Sequence, residues 1–262
     1  MPSIVALVPA RTGSQRIPNK NFKDFCGRPM IEWTLLAAQE SGIFADIAVS
    51  TDRGHVPEVK LSDFDAGLIV RPAEFATNTS PDIEWVRHAL EYLGKIPKSY
   101  DCFAILRPTS PFRTADTIRR AWAEFQGFQE INSLRAIDLC GQHPFKMWEL
   151  YEGFDVPSQL IRPFAKESAA MNPPGHSQQY GALPQVYAQN GSLEIAWTKT
   201  VTEKDSIAGD RIAPFFTEAY EGHDINTTED WILAEALVER GLVDIKSPEK
   251  ASEGGRACRG LR

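Results

Sequence analysis

Short apolar segments alternate with amphipathic helical segments in the first half of the chain. This alternation limits the fold more than any other feature of the sequence. Apolar runs of strand length occur at residues 3–8, 47–50, 66–70, 102–106 and 131–137. Between them, apolar residues recur with the helical period at residues 29–41, 81–93 and 114–125. Strands that alternate with helices at this spacing form βαβ units. We therefore predict an α/β fold with a mainly parallel, Rossmann-like sheet and helices on both faces.

The alternation stops in the second half of the chain. Residues 140–189 contain six prolines and no clear period, which indicates an inserted arm. A strand at 192–197 and a final helix at 227–240 are expected to follow, and the helix should bury Ile232, Ala236 and Leu237. The predicted organisation is an α/β core of residues 1–139 and 190–245, an arm of residues 140–189, and a flexible tail of residues 246–262.

The charge balance and the apolar pattern argue against several classes of protein. The chain has 28 Lys and Arg against 35 Asp and Glu, a formal charge of −7, which is unfavourable for a general nucleic-acid binder. No apolar run approaches the ~20 residues of a membrane span, and no basic residue precedes the first apolar run as in a signal peptide. The four cysteines lack paired spacing and are interpreted as reduced thiols. We expect a cytoplasmic protein that binds neither nucleic acid nor membrane.

Polar loops follow the predicted strands, where an α/β sheet binds its ligands. The first loop, residues 9–21, has the sequence PARTGSQRIPNKN. Gly13 would let the backbone approach an anion closely, and Arg11, Arg16 and Lys20 supply enough positive charge for a triphosphate. The loop has neither the Walker A nor the GxGxxG spacing. The sequence favours a phosphate-binding loop, and the alternative is a solvated basic loop.

Residues 7–21 strongly resemble the nucleotide-binding signature of the acylneuraminate cytidylyltransferases, the CMP-sialic acid synthetase family. Six further segments resemble family motifs in the same order. They are residues 27–31 (GRPMI), 49–52 (VSTD), 71–80 (RPAEFATNTS), 107–113 (RPTSPFR), 190–191 (NG) and 224–230 (DINTTED). Together these segments extend over about residues 4–240.

The resemblance implies a nucleotidyltransferase sheet and a CTP-dependent reaction. The family joins CTP to the anomeric hydroxyl of a nonulosonic, sialic-type acid, giving a CMP-sugar and pyrophosphate. Because the hydroxyl attacks the α-phosphorus directly, no enzyme nucleophile is needed. The resemblance also implies Mg²⁺ as cofactor, CTP and a sugar acid as ligands, and a homodimer in which the inserted arm pairs two subunits.

Site residues follow from the resemblance by position. Those expected to act in catalysis are Lys20, Arg11 and Asp224. Those expected to bind the nucleotide are Arg11, Gly13, Ser14, Arg16, Asn21, Arg71, Thr79 and Ser80. Those expected to bind the sugar acid are Arg107, Thr109, Ser110, Lys146, Tyr187 and Asn190. The expected metal ligands are Asp224 and Asn226.

Each assignment has a simpler structural alternative. Arg71 could form a structural salt bridge, Lys146 could be solvated, and Asp224 could supply charge at the start of the last helix. Asn226 stands where the family has a second Asp, and a neutral amide is a weaker Mg²⁺ ligand.

Two further departures concern the sugar site. Arg107 replaces a Gln and should favour an anionic or acceptor-rich group. Gln178 and Gln179 stand where the family has an Arg-Gln pair. A related sugar nucleotidyltransferase, for Kdo or another sugar or base, and a catalytically impaired nucleotide-binding homologue are therefore the alternative functions.

Overall fold

The computed structural model describes residues 1–56, 59–152 and 159–245, and the predicted tail at 246–262 lies outside the described residues. The chain divides into two compact units, of which the first comprises Met1–Ile137 and the chain from Gln189 onward, and the second comprises Asp138–Ala188. Among the described residues, none of the helices combines the length and apolar composition that a membrane span needs.

The regular elements match most of the predicted ones within a few residues. The strands are β1 (Ile4–Pro9), β2 (Asp24–Phe25), β3 (Arg28–Pro29), β4 (Asp46–Thr51), β5 (Ala66–Val70), β6 (Cys102–Ile105), β7 (Ser133–Leu139), β8 (Trp148–Glu152), β9 (Gln159–Pro163), β10 (Tyr187–Trp197) and β11 (Ile212–Phe216). The α-helices are α1 (Met30–Ser41), α2 (Asp82–Leu93), α3 (Ala115–Gly127), α4 (Lys166–Ala170), α5 (Thr198–Lys204) and α6 (Thr228–Glu239).

A seven-stranded sheet with the order β11-β7-β10-β6-β1-β4-β5 organises the first unit. The pairs β1–β4, β1–β6, β4–β5 and β7–β11 are parallel, whereas β10 is antiparallel to β6. The prediction of a mainly parallel sheet is confirmed. Because neighbouring parallel strands end at the same edge, the loops after β1, β4, β5 and β6 lie along one edge of the sheet.

Alternating residues of β1 enter two different cores, which is the reason that helices cover both faces. Ala6 and Val8 pack in a cluster with residues of α1 and α3, whereas Val5 and Leu7 pack in a cluster with residues of α2. The prediction of helices on both faces is therefore confirmed.

The last helix and the second unit differ in part from the expectation. In α6 the buried residues are Trp231, Ala234 and Leu237. The predicted burial is confirmed for Leu237 and wrong for Ile232, which is exposed, while Ala236 is half-buried. The second unit agrees with the predicted arm of residues 140–189 to within two residues at each end. It contains an antiparallel hairpin of β8 and β9 and the short helix α4. Strand β11 and helix α5 were also not predicted.

Candidate active site

A cleft of about 400 Å³ lies at the edge of the sheet where β1, β5 and β6 end. Its lining is mostly polar and includes ten of the residues predicted from the sequence. These are Arg11, Ser14, Lys20, Asn21, Arg71, Ser80, Arg107, Thr109, Asp224 and Asn226. The fold therefore brings together residues that are more than 200 positions apart in the chain.

The loop after β1 is fixed in position by hydrogen bonds to neighbouring residues. Asp52, after β4, accepts from the backbone N–H of Thr12 at 3.0 Å and from its hydroxyl at 2.8 Å. Burial opposes ionisation of Asp52, but the hydrogen bonds from Thr12 outweigh it and lower the pKa of Asp52. Arg11 donates to Asn78 Oδ1 at 2.7 Å, and Asn21 donates to the Arg11 carbonyl at 3.1 Å. These hydrogen bonds preorganise the loop, as a preformed anion site requires.

Gly13 is not required by the protein itself. A Cβ atom at this position would meet nothing within 4 Å, and the backbone has no positive φ. The space around Gly13 is open, so packing within the described protein does not require a glycine here. A ligand that approaches the backbone closely would be a reason for it. Its role toward the nucleotide stays a prediction.

Lys20 connects the first loop to the segment before α6. Its Nζ donates to the Ile225 carbonyl at 2.6 Å and lies 3.4 Å from Asn226 Oδ1. Burial is the main cause that lowers the pKa of Lys20; Asp224 opposes the shift, and Arg16 adds to it. The ammonium group is thus partly desolvated, and charge interactions made there are stronger than in water.

Asp224 has one carboxylate oxygen that is hydrogen-bonded within the described protein and one that is not. Its Oδ2 accepts from Asn226 Nδ2 at 2.7 Å, whereas its Oδ1 is buried and has no hydrogen-bond partner in the described part of the chain. Mg²⁺ commonly takes one or two carboxylates together with substrate phosphates. No group of three or more His, Cys, Asp or Glu that could hold a metal occurs among residues 1–56, 59–152 and 159–245. A single-carboxylate site completed by phosphates therefore fits Asp224.

Asp230, and not Asp224, provides the carboxylate at the start of α6. Thr227 and Asp230 form a capping box, and Asp230 Oδ2 also accepts from the backbone N–H groups of Asn226 and Thr227 at 2.9 and 2.8 Å. This observation argues against the alternative in which Asp224 only supplies negative charge at the start of the last helix. Asn226 uses its amide nitrogen to orient Asp224, and its oxygen faces Lys20, so its assignment as a metal ligand stays a prediction.

Arg71 is nearly fully buried at the end of β5. Burial lowers the pKa of Arg71 to about 10, although Asp52 and Asp82 oppose the shift. Its guanidinium donates to the Ser50 carbonyl at 3.3 Å and lies 5.4 Å from the Trp85 ring, while Nε is buried without a partner in the described structure. Arg71 forms no salt bridge within the described ranges, which argues against the simple structural alternative.

Arg107 is engaged by two carboxylates of the protein. Its Nη2 lies 2.6 Å from Asp82 Oδ2 and 2.6 Å from Glu194 Oε1. Glu194 is buried on β10 and also pairs with Arg135. Burial opposes ionisation of Asp82, but Arg107 outweighs it and lowers the pKa of Asp82. The charge of Arg107 is therefore compensated, which the sequence did not indicate.

Other predicted residues lie outside the cleft lining, and their roles stay predictions. Ser110 is buried, and Asn190 donates to Thr217 Oγ1 at 2.9 Å. Lys146 and Tyr187 belong to the second unit, where Lys146 donates to the Gln178 carbonyl at 2.6 Å. The others outside the lining are Gly13, Arg16 and Thr79.

Several cleft residues were missed by sequence reasoning. Asp82 and Trp85 belong to the first turn of α2 and line the cleft, and Asp52 braces its first loop. Glu194 was detectable in principle, because a carboxylate inside an otherwise apolar strand must be paired when it is buried. Asp52 directly follows β4, in the same way as the predicted residues follow their strands.

Comparison with known proteins extends the similarity to most of the chain. The family model for cytidylyltransferases matches residues 5–95. CMP-N,N'-diacetyllegionaminic acid synthase of Legionella pneumophila is 30% identical over 238 residues, which is 90% of this chain and 96% of that protein. N-acylneuraminate cytidylyltransferase of Escherichia coli is 31% identical over 160 residues, 61% of this chain and 34% of that protein.

A solved structure shares the fold at low sequence identity. CMP:2-keto-3-deoxy-manno-octonic acid synthetase complexed with CTP matches with a TM-score of 0.64 and 14% identity, over 91% of this chain and 99% of that chain. The match to the Legionella protein extends over nine tenths of this chain and nearly the whole of that protein. The chain therefore belongs to the acylneuraminate cytidylyltransferase, or CMP-sialic acid synthetase, family.

Proposed function

We propose that this protein is a cytidylyltransferase that joins CTP to the anomeric hydroxyl of a nonulosonic acid and releases pyrophosphate. One observation carries the proposal: the basic loop after β1 and the carboxylate of Asp224 face the same cleft, connected by the 2.6 Å contact from Lys20 to Ile225. A triphosphate needs such cations, and a phosphate-bound Mg²⁺ needs such a carboxylate.

The reaction forms a bond between the acceptor oxygen and the α-phosphorus and breaks the bond from that phosphorus to pyrophosphate. The acceptor hydroxyl releases its proton to solvent, and the leaving pyrophosphate takes the electron pair of the broken P–O bond. Arg11 and Lys20 neutralise the negative charge that accumulates on the phosphate oxygens. Asp224 would hold Mg²⁺, which supplies further charge neutralisation when it is bound. Asn226 keeps the Asp224 carboxylate oriented through its 2.7 Å hydrogen bond.

The order of strands supports binding of the two substrates on different sides of β1. Arg71 follows β5 and its buried guanidinium suits the cytosine, whereas Arg107 follows β6 on the other side of β1. The phosphates then lie at the loop after β1, between the base and the acceptor. In the proposed arrangement the α-phosphorus lies near the acceptor hydroxyl, so we infer that catalysis is chiefly positioning.

The protein is proposed to act as a homodimer in the cytoplasm, where CTP is available. Within the second unit, apolar side chains of the β8–β9 hairpin and its surroundings are exposed, and exposed apolar patches often mark interfaces. The side chains are Met147, Trp148, Leu150, Ile161 and Phe164.

A pyrophosphate-release assay tests the proposed activity. CTP, Mg²⁺ and a panel of neuraminic, legionaminic and pseudaminic acids and Kdo are supplied, and each other NTP replaces CTP in turn. We expect release with CTP and at least one nonulosonic acid. Release only with Kdo or another NTP would favour the related nucleotidyltransferase. If the protein binds CTP but releases no pyrophosphate with any acid, it is a catalytically impaired homologue. Asn226, in place of the family's second Asp, is the residue that suggests this alternative.

A further inference from the structure

The cleft wall at the end of β6 contains a cation and an anion side by side. Arg107 and Asp82 both line the cleft, with Nη2 of Arg107 2.6 Å from Oδ2 of Asp82. Their side chains are 27% and 35% exposed, so both reach the solvent of the cleft. The buried Glu194 of β10 forms ion pairs with both Arg107 and Arg135. Two arginines and two carboxylates make this cluster neutral.

Both groups keep unused hydrogen-bonding capacity. Arg107 makes its two ion pairs through Nη2, and its Nε and Nη1 have no partner in the described part of the chain. Asp82 accepts from Arg107 through Oδ2 and from Trp85 Nε1 through Oδ1 at 2.7 Å. Because a carboxylate oxygen has two lone pairs, each can accept another bond. Arg107 and Asp82 therefore present hydrogen-bond donors and acceptors side by side, and their two charges compensate each other.

This chemistry suits neighbouring hydroxyl groups better than a carboxylate. One hydroxyl can donate to Asp82 while its neighbour accepts from Arg107, so all partners are satisfied. A substrate carboxylate at Arg107 would lie beside the Asp82 carboxylate, and like charges at this distance repel. The Arg107 charge is already used by Asp82 and Glu194 and attracts an anion less than a free guanidinium does.

We propose that Arg107 and Asp82 form a specificity-determining pair that binds neighbouring hydroxyl groups of the acceptor sugar, and not its carboxylate. The inference rests on the proposed function for the identity of the acceptor. The strand order favours the acceptor over the ribose of CTP, because Arg107 follows β6, on the opposite side of β1 from β4 and β5. Asp82 lies closer to Arg71, since it accepts from Trp85, whose ring is 5.4 Å from the Arg71 guanidinium. The ribose diol has the same chemistry and is distinguished by experiment.

The sign of one mutational effect separates hydroxyl binding from carboxylate binding. Asp82→Asn removes the anion beside Arg107. If the pair binds hydroxyls, the variant loses an ionic acceptor, and the KM for the acceptor should rise about 10-fold or more. If Arg107 binds the carboxylate, removal of the competing anion should lower that KM. Arg107→Met keeps an apolar side chain of similar length and removes all the donors. It should raise the KM for the acceptor about 10-fold, and Glu194 keeps Arg135 as partner.

The experiment uses the full-length enzyme and the best acceptor of the pyrophosphate panel. KM and kcat are measured for the acceptor, for CTP and for 2′-deoxy-CTP, and melting temperature and CTP binding report folding. Arg120→Gln is the matched control, since Arg120 lies between Glu218 and Glu221 at 3.1 and 2.6 Å outside the cleft lining. It should leave the acceptor KM unchanged. Arg107→Lys replaces Arg107→Met if the latter does not fold.

The possible results are distinct. A higher acceptor KM in both cleft variants, with the CTP KM within twofold of wild type, supports the inference. A lower or unchanged acceptor KM in Asp82→Asn overturns it. A KM increase for CTP that disappears with 2′-deoxy-CTP assigns the pair to the ribose and also overturns it. If the wild-type enzyme releases no pyrophosphate with any acid, the proposed function fails first, and the inference fails with it.

Discussion

Substitution of Lys20 by methionine tests the core of the proposed chemistry. Methionine keeps most of the length and apolar volume of the side chain and removes the charge. The ammonium lies in the cleft, partly desolvated, between the basic loop and the segment that contains Asp224. We expect Lys20→Met to remove a charge-assisted contact that strengthens in the transition state.

The expected effects on rate and stability differ in size. Loss of one such contact weakens transition-state binding by about 3 kcal/mol, which lowers kcat about 100-fold. In the folded protein, the variant leaves the Ile225 carbonyl without its 2.6 Å donor. An unmet acceptor that can reach cleft water costs about 1 kcal/mol, which lowers Tm by about 2–4 °C in a chain of this size.

Lys23→Met is the matched control for this measurement. Lys23 lies three residues further along the same segment, with Nζ 4.2 Å from the centroid of the Trp231 ring, and does not line the cleft. Steady-state pyrophosphate release and thermal melts are measured for both variants. Lys23→Met should retain kcat within about twofold, because it makes no contact with the substrates.

The pH profile gives an independent check on Lys20. Burial lowers the pKa of Lys20, and only the protonated form neutralises phosphate charge. The value of kcat/KM for CTP should therefore fall as the pH rises. The midpoint of this fall should lie below the ordinary pKa of a lysine. Near-normal turnover in Lys20→Met, or an alkaline decline that persists in the variant, would refute the reasoning.

The remaining predictions concern the base, the metal and the assembly. Arg71→Ala should raise the KM for CTP about 10-fold with a smaller change in kcat, because a base contact is remote from the reacting phosphorus; steady-state kinetics with unchanged KM and a large loss of kcat would contradict this. Asn226→Asp should lower the Mg²⁺ concentration for half-maximal activity and Asp224→Asn should raise it at least 10-fold, as measured by metal titration; a shift in Tm alone for Asp224→Asn would refute the metal role. Light scattering at micromolar concentration should give twice the mass of one chain, and a single monomeric species would exclude the homodimer.

The central elements were predictable because their apolar periods differ clearly. Strand β1 is a continuous apolar run, as expected for a strand buried on both faces, and α2 has a one-sided apolar stripe. Strand β11 has the sequence IAPFF, and its proline removes a backbone donor. The structure places β11 at the edge of the sheet, where a missing donor is tolerated.

The buried face of α6 could not be assigned from its sequence. Trp231, Ile232, Leu233, Ala234, Ala236 and Leu237 are all apolar, so more than one face has the helical period. Tertiary packing decides between these faces. Trp231 meets Phe25 edge to face, with 5.4 Å between ring centroids, and Ile232 is left exposed.

The candidate site was predictable in its residue types and less so in its charges. Arg11, Lys20, Arg71 and Arg107 follow predicted strands, and all four line the cleft. The pairing of Arg107 with Glu194 joins positions 87 residues apart, and no local pattern carries that information. The electrostatic character of a cleft depends on such pairs, which only the folded chain defines.

The contact from Lys20 to Ile225 has a consequence for the time at which the enzyme becomes active during its synthesis. The two residues are 205 positions apart. A ribosome that adds 5–20 residues per second needs about 10–40 s to travel between them. In the later part of that interval, the nascent chain contains the phosphate loop, β5 and β6 but lacks the carboxylate of Asp224. The cleft is therefore complete only after the segment before the last helix has been synthesised.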